Sequence, residues 1–200
     1  MKRSKRTSVG KAILGVLIAV FFSSCASAPD QPMVVKAEKP FAAGGSIEMQ
    51  LDGGNYEIRP ASDRIRISFG GNSGSATADV TTVGAHANLA IKDTPHNNFK
   101  ATVEVPQTTD LVLHLTGGSL EMAAITGNKE IDSKAGNVTV AVGDSNDYST
   151  VDASVEVGNI EAAPFGRADS GIGKHFTWSG RGKHTLHANL GAGNLQLKSK

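Results

Sequence analysis

The clearest pattern in this chain is a short phrase of glycine, then asparagine or serine, then alternating apolar and polar residues. It recurs in the segments 45–49, 54–58, 118–122, 136–140, 158–162 and 193–197. In each segment the apolar residues fall two apart, which is the period of a half-buried β-strand. Glycine and asparagine tolerate positive φ and therefore suit the corner before such a strand. The phrase predicts a corner followed by a short strand, repeated along the chain.

The same period of two continues between the phrases. Ile65, Ile67 and Phe69 alternate with polar residues, as do the apolar residues of 111–115 and 151–157. Twenty-three glycines interrupt the chain, and after residue 30 no stretch has the apolar spacing of an amphipathic helix. The pattern therefore predicts an all-β protein with a single domain.

The spacing of the phrases favours a β-solenoid with short Gly/Asn corners. Successive phrases begin at 118, 136, 158 and 193, so the steps are 18, 22 and 35 residues, the last being about two coils. A coil of 17 or 18 residues fits three short strands and three corners. The alternative is a β-sandwich with glycine-rich hairpins.

This interpretation fixes the direction of individual side chains. We expect four valines to face the core, namely Val138, Val140, Val155 and Val157, with Thr139 and Glu156 facing water. Because the end of a stack exposes core and strand edges, Phe176 and Trp178 are expected to close the last coils.

The first residues have the layout of an export signal. Five Lys or Arg and no acid fall within residues 1–24, where an apolar run over 12–22 follows the basic start. This run is too short to span a bilayer, which takes about 20 residues, and a signal peptide with its helix over 1–24 is the prediction. The alternatives are an internal membrane anchor or a buried helix.

Cys25 is the one cysteine of the chain. The segment Phe22-Ser23-Ser24-Cys25 resembles the bacterial lipobox, although Phe22 stands where leucine is usual. The resemblance implies a lipid on Cys25 and attachment to a membrane, with 25–43 as a flexible tether and 44–200 as the folded domain. The alternative is cleavage after Ala28, which would release a secreted protein.

Charge and candidate chemistry exclude several classes of function. From residue 25 onward there are 15 basic and 19 acidic residues, a net charge of −4, and no basic stripe that would favour nucleic acid. His184 and His187 are three apart on a strand, which places them on opposite faces. The loop Asp144–Asp147 superficially resembles a calcium loop but lacks its closing glutamate. We therefore predict no catalytic residue, no cofactor and no metal.

One enzymatic alternative stays open. Asp132, Lys134, Asp152 and Glu156 could share an outer face and cleave glycans, as carboxylates and basic residues do on some β-solenoids. A further alternative is a structural or envelope-stress module without an external ligand.

The glycine phrases and the ending Gly191-Ala192-Gly193-Asn194-Leu195-Gln196-Leu197 resemble the bacterial family called putative adhesin, over about 44–200. The chain is also distantly similar to head domains of autotransporter-like adhesins. The resemblance implies an exported β-solenoid of the cell envelope, and it brings no catalytic residues. The expected function is an adhesin-like binding module, anchored to a membrane through Cys25, with a protein or polysaccharide of the envelope as partner.

Overall fold

The computed structural model describes residues 32–199, which contain thirteen strands, two short 3-10 turns and no α-helix. All strands belong to one hydrogen-bonded sheet. This confirms the all-β class. The strands are β1 (Val34–Pro40), β2 (Gly45–Leu51), β3 (Gly54–Ala61), β4 (Arg64–Gly71), β5 (Thr77–Val83), β6 (His86–Lys92), β7 (Phe99–Pro106), β8 (Thr109–Leu115), β9 (Gly118–Met122), β10 (Lys129–Ala141), β11 (Tyr148–Ala162), β12 (Arg167–Ser179) and β13 (His184–Lys198).

The sheet folds into two walls around one core. The first wall contains β2, β8 and the first halves of β10, β13 and β11, and the second contains β3, β9 and the second halves of the same long strands. All these pairings are parallel. The apolar residues of both walls form a single buried cluster, so the space between the walls is filled by side chains.

A corner joins the two walls at the glycine of each phrase. The last buried residue before the corner and the first after it are five apart, as in Leu115 to Leu120 and Leu190 to Leu195. Because five is an odd number, the inward-facing positions after the corner are one residue out of phase with those before it. Gly136 lies in register with Gly118 on one side and Gly193 on the other. Its φ is +130°, and a Cβ there would collide with the carbonyl oxygen of Gly118. The close stacking of corners therefore requires glycine.

The corner also explains one wrong prediction. Val138, Val140 and Val155 are fully buried and Glu156 is exposed, as expected, but Val157 is 55% exposed. The prediction assumed that inward and outward side chains keep alternating through Val157, whereas the chain turns there. The inward positions resume at Ile160, five residues after Val155.

The order of the stacked strands also differs from the expectation. β13 lies between β10 and β11, so Gly193 pairs with Gly136 and with Gly158. The 35-residue step from Gly158 to Gly193 is therefore not two coils. Its intervening residues instead form β12, which pairs antiparallel with β11 at the end of the sheet.

Antiparallel strands close the opposite end. β1 pairs with β4, β4 with β7, and β5 with β6. The predicted flexible tether over 25–43 includes Val34–Pro40, which is β1 and so belongs to the sheet. A tether is therefore wrong for that part, because Ala37, Glu38 and Lys39 pair in register with β4. Cys25, the signal peptide over 1–24 and the predicted signal helix lie outside the described residues.

Aromatic residues cover the end formed by β12. Phe176 is 7% exposed, and the ring of Phe165 lies 5.0 Å from that of Trp178 and 6.2 Å from that of Tyr148. The expected closing role of Phe176 and Trp178 is confirmed. Within residues 32–199, no helix has the length and apolar character needed to cross a membrane.

Candidate functional site

A groove of about 550 Å³ lies on the outer face of the second wall. It crosses five strands, β4, β7, β3, β9 and β10, and Met33 also lines it. Its volume falls in the usual range for ligand sites, about 300–1,000 Å³. The polar side chains that line it are Asn55, Glu57, Arg59, Lys100, Thr102, Ser119, Glu121, Asn137 and Thr139. We call this feature the outer groove.

The strands place these side chains in rows. Because the pairing is parallel and in register, Asn55, Ser119 and Asn137 occupy equivalent positions on β3, β9 and β10. Equivalent residues on neighbouring strands lie about 4.8 Å apart. The phrase that builds the corner therefore also builds a repeating polar row along the outer wall.

The asparagines of this row form a directional ladder of hydrogen bonds. Asn159 Nδ2 donates to Asn194 Oδ1, and Asn194 Nδ2 donates to Asn137 Oδ1, each at 2.7 Å. Asn137 is thus the acceptor at the end of the ladder. On the other side of Asn137, its neighbour in register is Ser119 of β9, which lines the outer groove.

Charges in the outer groove balance one another. Its lining has two acidic and two basic side chains. The Arg59 guanidinium donates two hydrogen bonds to the Glu57 carboxylate, one of them over 2.7 Å from Nη2 to Oε2, and this contact raises the pKa of Arg59. Glu121 accepts a hydrogen bond of 3.0 Å from Lys198. The other polar side chains of the lining are amides, hydroxyls and the ammonium of Lys100, so the two acidic and two basic groups leave the groove without net charge.

The first wall carries the residues of the predicted enzymatic alternative, but the structure does not bring all four together. Asp132 and Lys134 line a second groove of about 500 Å³, which excludes Asp152 and Glu156. Asp132 lies on β10 and Asp152 on β11, with β13 between them. Two strand spacings amount to about 10 Å, and Glu156 lies at the corner. The four side chains therefore do not converge on one substrate atom.

The two acids have separate partners. Asp132 accepts a hydrogen bond of 3.1 Å from Asn189 Nδ2, and His114 Nδ1 lies 3.4 Å from it. Asp152 lies 3.1 Å from His175 Nε2. Each acid is held on its own side of β13.

A close serine–histidine pair occurs outside the predicted residues. Ser46 Oγ lies 2.6 Å from His86 Nδ1. The nearest acid in register, Asp110, is beside the serine rather than the histidine and binds Asn128. A catalytic triad requires the acid to orient the histidine. This arrangement does not do so.

His187 and Asp144 are exposed, as predicted, whereas His184 is half-buried. His184 packs against the Tyr148 ring, while His187 faces outward. Asp144 caps a 3-10 turn by accepting from Asn146 N. In the described part of the chain, no group of three His, Cys, Asp or Glu residues is placed to hold a metal ion.

The core contains a lysine that was not predicted from the sequence. Lys129 is 1% exposed and pairs in register with Leu111 and Leu186, both buried. Its Nζ donates to Gly127 O over 3.0 Å and to the Tyr148 hydroxyl over 2.9 Å. The sequence did indicate the burial of Lys129, because it lies two residues before Ile131 and so faces the same, inward side of the strand.

Burial shifts the ionisation of this pair. Desolvation lowers the pKa of Lys129 to about 8, although the nearby carboxylates of Asp110 and Asp147 oppose the change. Desolvation likewise raises the pKa of Tyr148 to about 12. The cavity at Tyr148 holds only about 40 Å³, close to the share of a single water molecule. The lysine therefore serves to satisfy polar groups where the two walls meet, and it is not accessible to a substrate.

Comparison with known proteins supports the fold. No family profile matches the chain, and no curated protein is similar to it at the level searched. A solved structure of a putative cell adhesion protein from Clostridium sporogenes matches with a TM-score of 0.50 and 14% identity, covering 84% of this chain and all of that one. A putative adhesin from Bacteroides fragilis has a TM-score of 0.33 and 11% identity, covering 84% of this chain and 98% of its own. The likeness to the Clostridium sporogenes structure confirms the resemblance at the level of fold.

Proposed function

We propose that this protein is an exported, lipid-anchored binding module of the bacterial cell envelope, adhesin-like and without catalytic activity. The observation that carries the proposal is the outer groove, a concave surface with many polar side chains over a core of packed apolar residues. A filled core leaves the outer walls as the part of the molecule that can meet a partner. The shared fold with a structure described as a cell adhesion protein supports the same role.

We interpret the stack as a β-solenoid of unusual order. The support is the parallel register of equivalent corners, in which Gly118, Gly136, Gly193 and Gly158 follow one another. Each of β10, β13 and β11 contributes one strand to each wall, as a coil does. The antiparallel strands at the two ends then act as caps that protect the stack from edge-to-edge pairing.

The lipid anchor rests on the sequence around Cys25. Met33, which lines the outer groove, is eight positions after Cys25 in the sequence. An extended chain of that length spans at most about 27 Å. A lipid on Cys25 would therefore hold the outer groove close to the membrane surface, and partners would be components of the same envelope.

The absence of catalysis rests on the separation of candidate groups. The acids of the first wall bind different partners, and the buried Lys129 is enclosed. General acid–base chemistry needs groups within hydrogen-bond reach of one reacting atom. The outer groove instead favours binding over the alternative of a purely structural module.

Radiolabelled palmitate and cell fractionation test the anchor. The wild type should take up the label and sediment with membranes, whereas Cys25→Ser should take up none and become soluble. Ser27→Ala is a matched control, since it alters a neighbouring small residue outside the four-residue motif. A wild type without label, or a Cys25→Ser protein that stays with the membrane, would contradict the anchor.

Binding is tested separately with the purified protein and isolated envelope fractions. We expect the protein to sediment with envelopes whose own lipoproteins have been removed by detergent, at protein concentrations where it is soluble alone. No sedimentation with any envelope fraction would exclude the adhesin-like role.

A further inference from the structure

The outer groove has features that select the chemistry of its ligand. We infer that it binds an uncharged polysaccharide, with Ser119, Asn137 and Thr139 as hydrogen-bonding residues. The inference rests on the proposed function as a binding module. It adds the ligand class and the residues that contact it.

Charge is the first argument. The acids of the groove are already bound by basic groups, Glu57 by Arg59 and Glu121 by Lys198. A charged polymer would have to displace these partners or leave a carboxylate opposite its own charge, both of which oppose binding. An uncharged ligand can instead use the amide and hydroxyl groups between the ion pairs.

Repetition is the second argument. Side chains in equivalent positions follow one another from strand to strand about 4.8 Å apart, and the row of Asn55, Ser119 and Asn137 presents three uncharged polar groups at that step. A pyranose unit has a length close to that step. A sugar polymer laid across the strands could therefore meet successive strands with successive units. Ser119 and Asn137 would hold neighbouring units through one row.

The lining also distinguishes a polysaccharide from a peptide. An extended peptide binds to a sheet by adding to its edge, with pockets for alternate side chains. The outer groove lies across the face of the wall; of its apolar side chains Tyr56, Leu120 and Ala101 are buried beneath it, and Met33 is exposed. The groove therefore offers no series of apolar pockets at alternate positions for peptide side chains, while its hydroxyl and amide groups match sugar hydroxyls.

The ladder determines which groups are available to the ligand. The Asn137 Oδ1 accepts a hydrogen bond from Asn194, so its Nδ2 is the amide group that is left to donate to a ligand. The bond to Asn194 also holds the amide in place, and a donor oriented in advance loses little freedom on binding. Single hydrogen bonds contribute modestly, so we expect a weak interaction with one sugar and a stronger one with a polymer that spans several strands.

Affinity electrophoresis provides the test, because it detects weak binding to polymers fixed in a gel. The probes are dextran and hydroxyethylcellulose as neutral polymers, polygalacturonate as an acidic polymer, and an uncharged synthetic polypeptide. We expect retardation by a neutral polysaccharide that persists in high salt, since salt screens only charge interactions. N137A and T139A should each weaken it roughly tenfold.

N159A is the matched control. Asn159 and Asn137 each make one hydrogen bond with Asn194, so both variants lose one bond of the ladder, but only Asn137 lines the groove. N159A should therefore bind like the wild type, and equal melting temperatures of the two variants show that the fold is intact. If N137A does not fold, T139A alone carries the comparison.

Several results would overturn the inference. These are retardation by polygalacturonate alone, retardation by the polypeptide alone, equal binding of N137A, T139A and N159A, or no retardation by any probe. If the protein still sediments with envelope fractions while no neutral polymer retards it, the groove inference fails and the proposed function stands. If neither is observed, both fail.

Discussion

Replacing Lys129 by methionine should change how the stability of this protein depends on pH. Lys129 lies among leucines of the stacked core, and burial lowers its pKa from 10.5 to about 8. This difference corresponds to a preference of about 3 kcal/mol for the neutral amine in the folded state. The charged form therefore costs stability wherever it persists in the folded protein.

The direction of the pH effect follows from the protons bound in each state. Below pH 8 both folded and unfolded chains carry a charged lysine, and the cost is present in full. Between about pH 8 and 10.5 the unfolded chain binds the proton and the folded chain does not, so stability rises with pH. Tyr148 has the opposite effect at higher pH. Its pKa rises from 10 to about 12 in the folded state, so above pH 10 it makes stability fall as pH rises. The interval between pH 8 and 10 thus isolates Lys129.

The methionine variant removes the charge and keeps the shape of the chain. It also removes two hydrogen bonds from Lys129 Nζ, to Gly127 O and to the Tyr148 hydroxyl, at about 1 kcal/mol each. Setting these against about 3 kcal/mol of relieved desolvation, we expect the variant to be about 1 kcal/mol more stable at pH 7. For a chain of this length that is a rise of about 2–4 °C in melting temperature.

Urea unfolding of wild type and variant at steps from pH 7 to 10 measures this directly. The wild type should gain stability across the interval and overtake the variant, whose profile should be flat. Lys134→Met is the control, because Lys134 is on the same strand but exposed. Parallel profiles for the wild type and Lys129→Met would show that the lysine is not desolvated as the structure implies.

Three further predictions concern the corners, the core and the chemistry. Gly136→Ala should lower the free energy of unfolding by more than about 3 kcal/mol, because its Cβ would collide with a neighbouring carbonyl. Gly166 also has a positive φ but open space around it, so Gly166→Ala should cost only about 1–2 kcal/mol. Equal losses in denaturant unfolding would show that close stacking is not what requires glycine at the corners. Val155→Asp should cost several kcal/mol by burying an unpaired carboxylate, whereas Glu156→Lys should change stability by less than about 0.5; equal melting temperatures would show a wrong register. The purified protein should show no turnover of acidic or neutral polysaccharides, with or without calcium or zinc; turnover that disappears in Asp132→Asn would establish the enzymatic alternative.

Much of the local structure could be predicted from the sequence, because the direction of a side chain on a strand depends only on its position in the alternation. This holds for Val138, Val140 and Val155, and it holds for Lys129, whose phase with Ile131 marked it as inward. Glycine at the corners is equally local, since φ near +130° excludes a side chain wherever that strand pairs. The prediction that Val157 faces the core was wrong because a corner adds one residue to the period. The alternation alone does not show where a strand bends.

Only the tertiary structure decided which strands pair with one another. β10, β11 and β13 carry nearly the same phrase, so any of them could pair with any other by pattern alone. The inserted position of β13, 57 residues from its partner in β10 and 35 from that in β11, depends on the packing of the whole core. The separation of Asp132 from Asp152 follows from that order, and the outer groove follows from the pairing of β7, β3, β9 and β10. The sequence by itself therefore determined strands, corners and faces, which are properties of neighbouring residues. Only the tertiary structure determined which distant faces meet, because chemically similar strands compete for the same pairing.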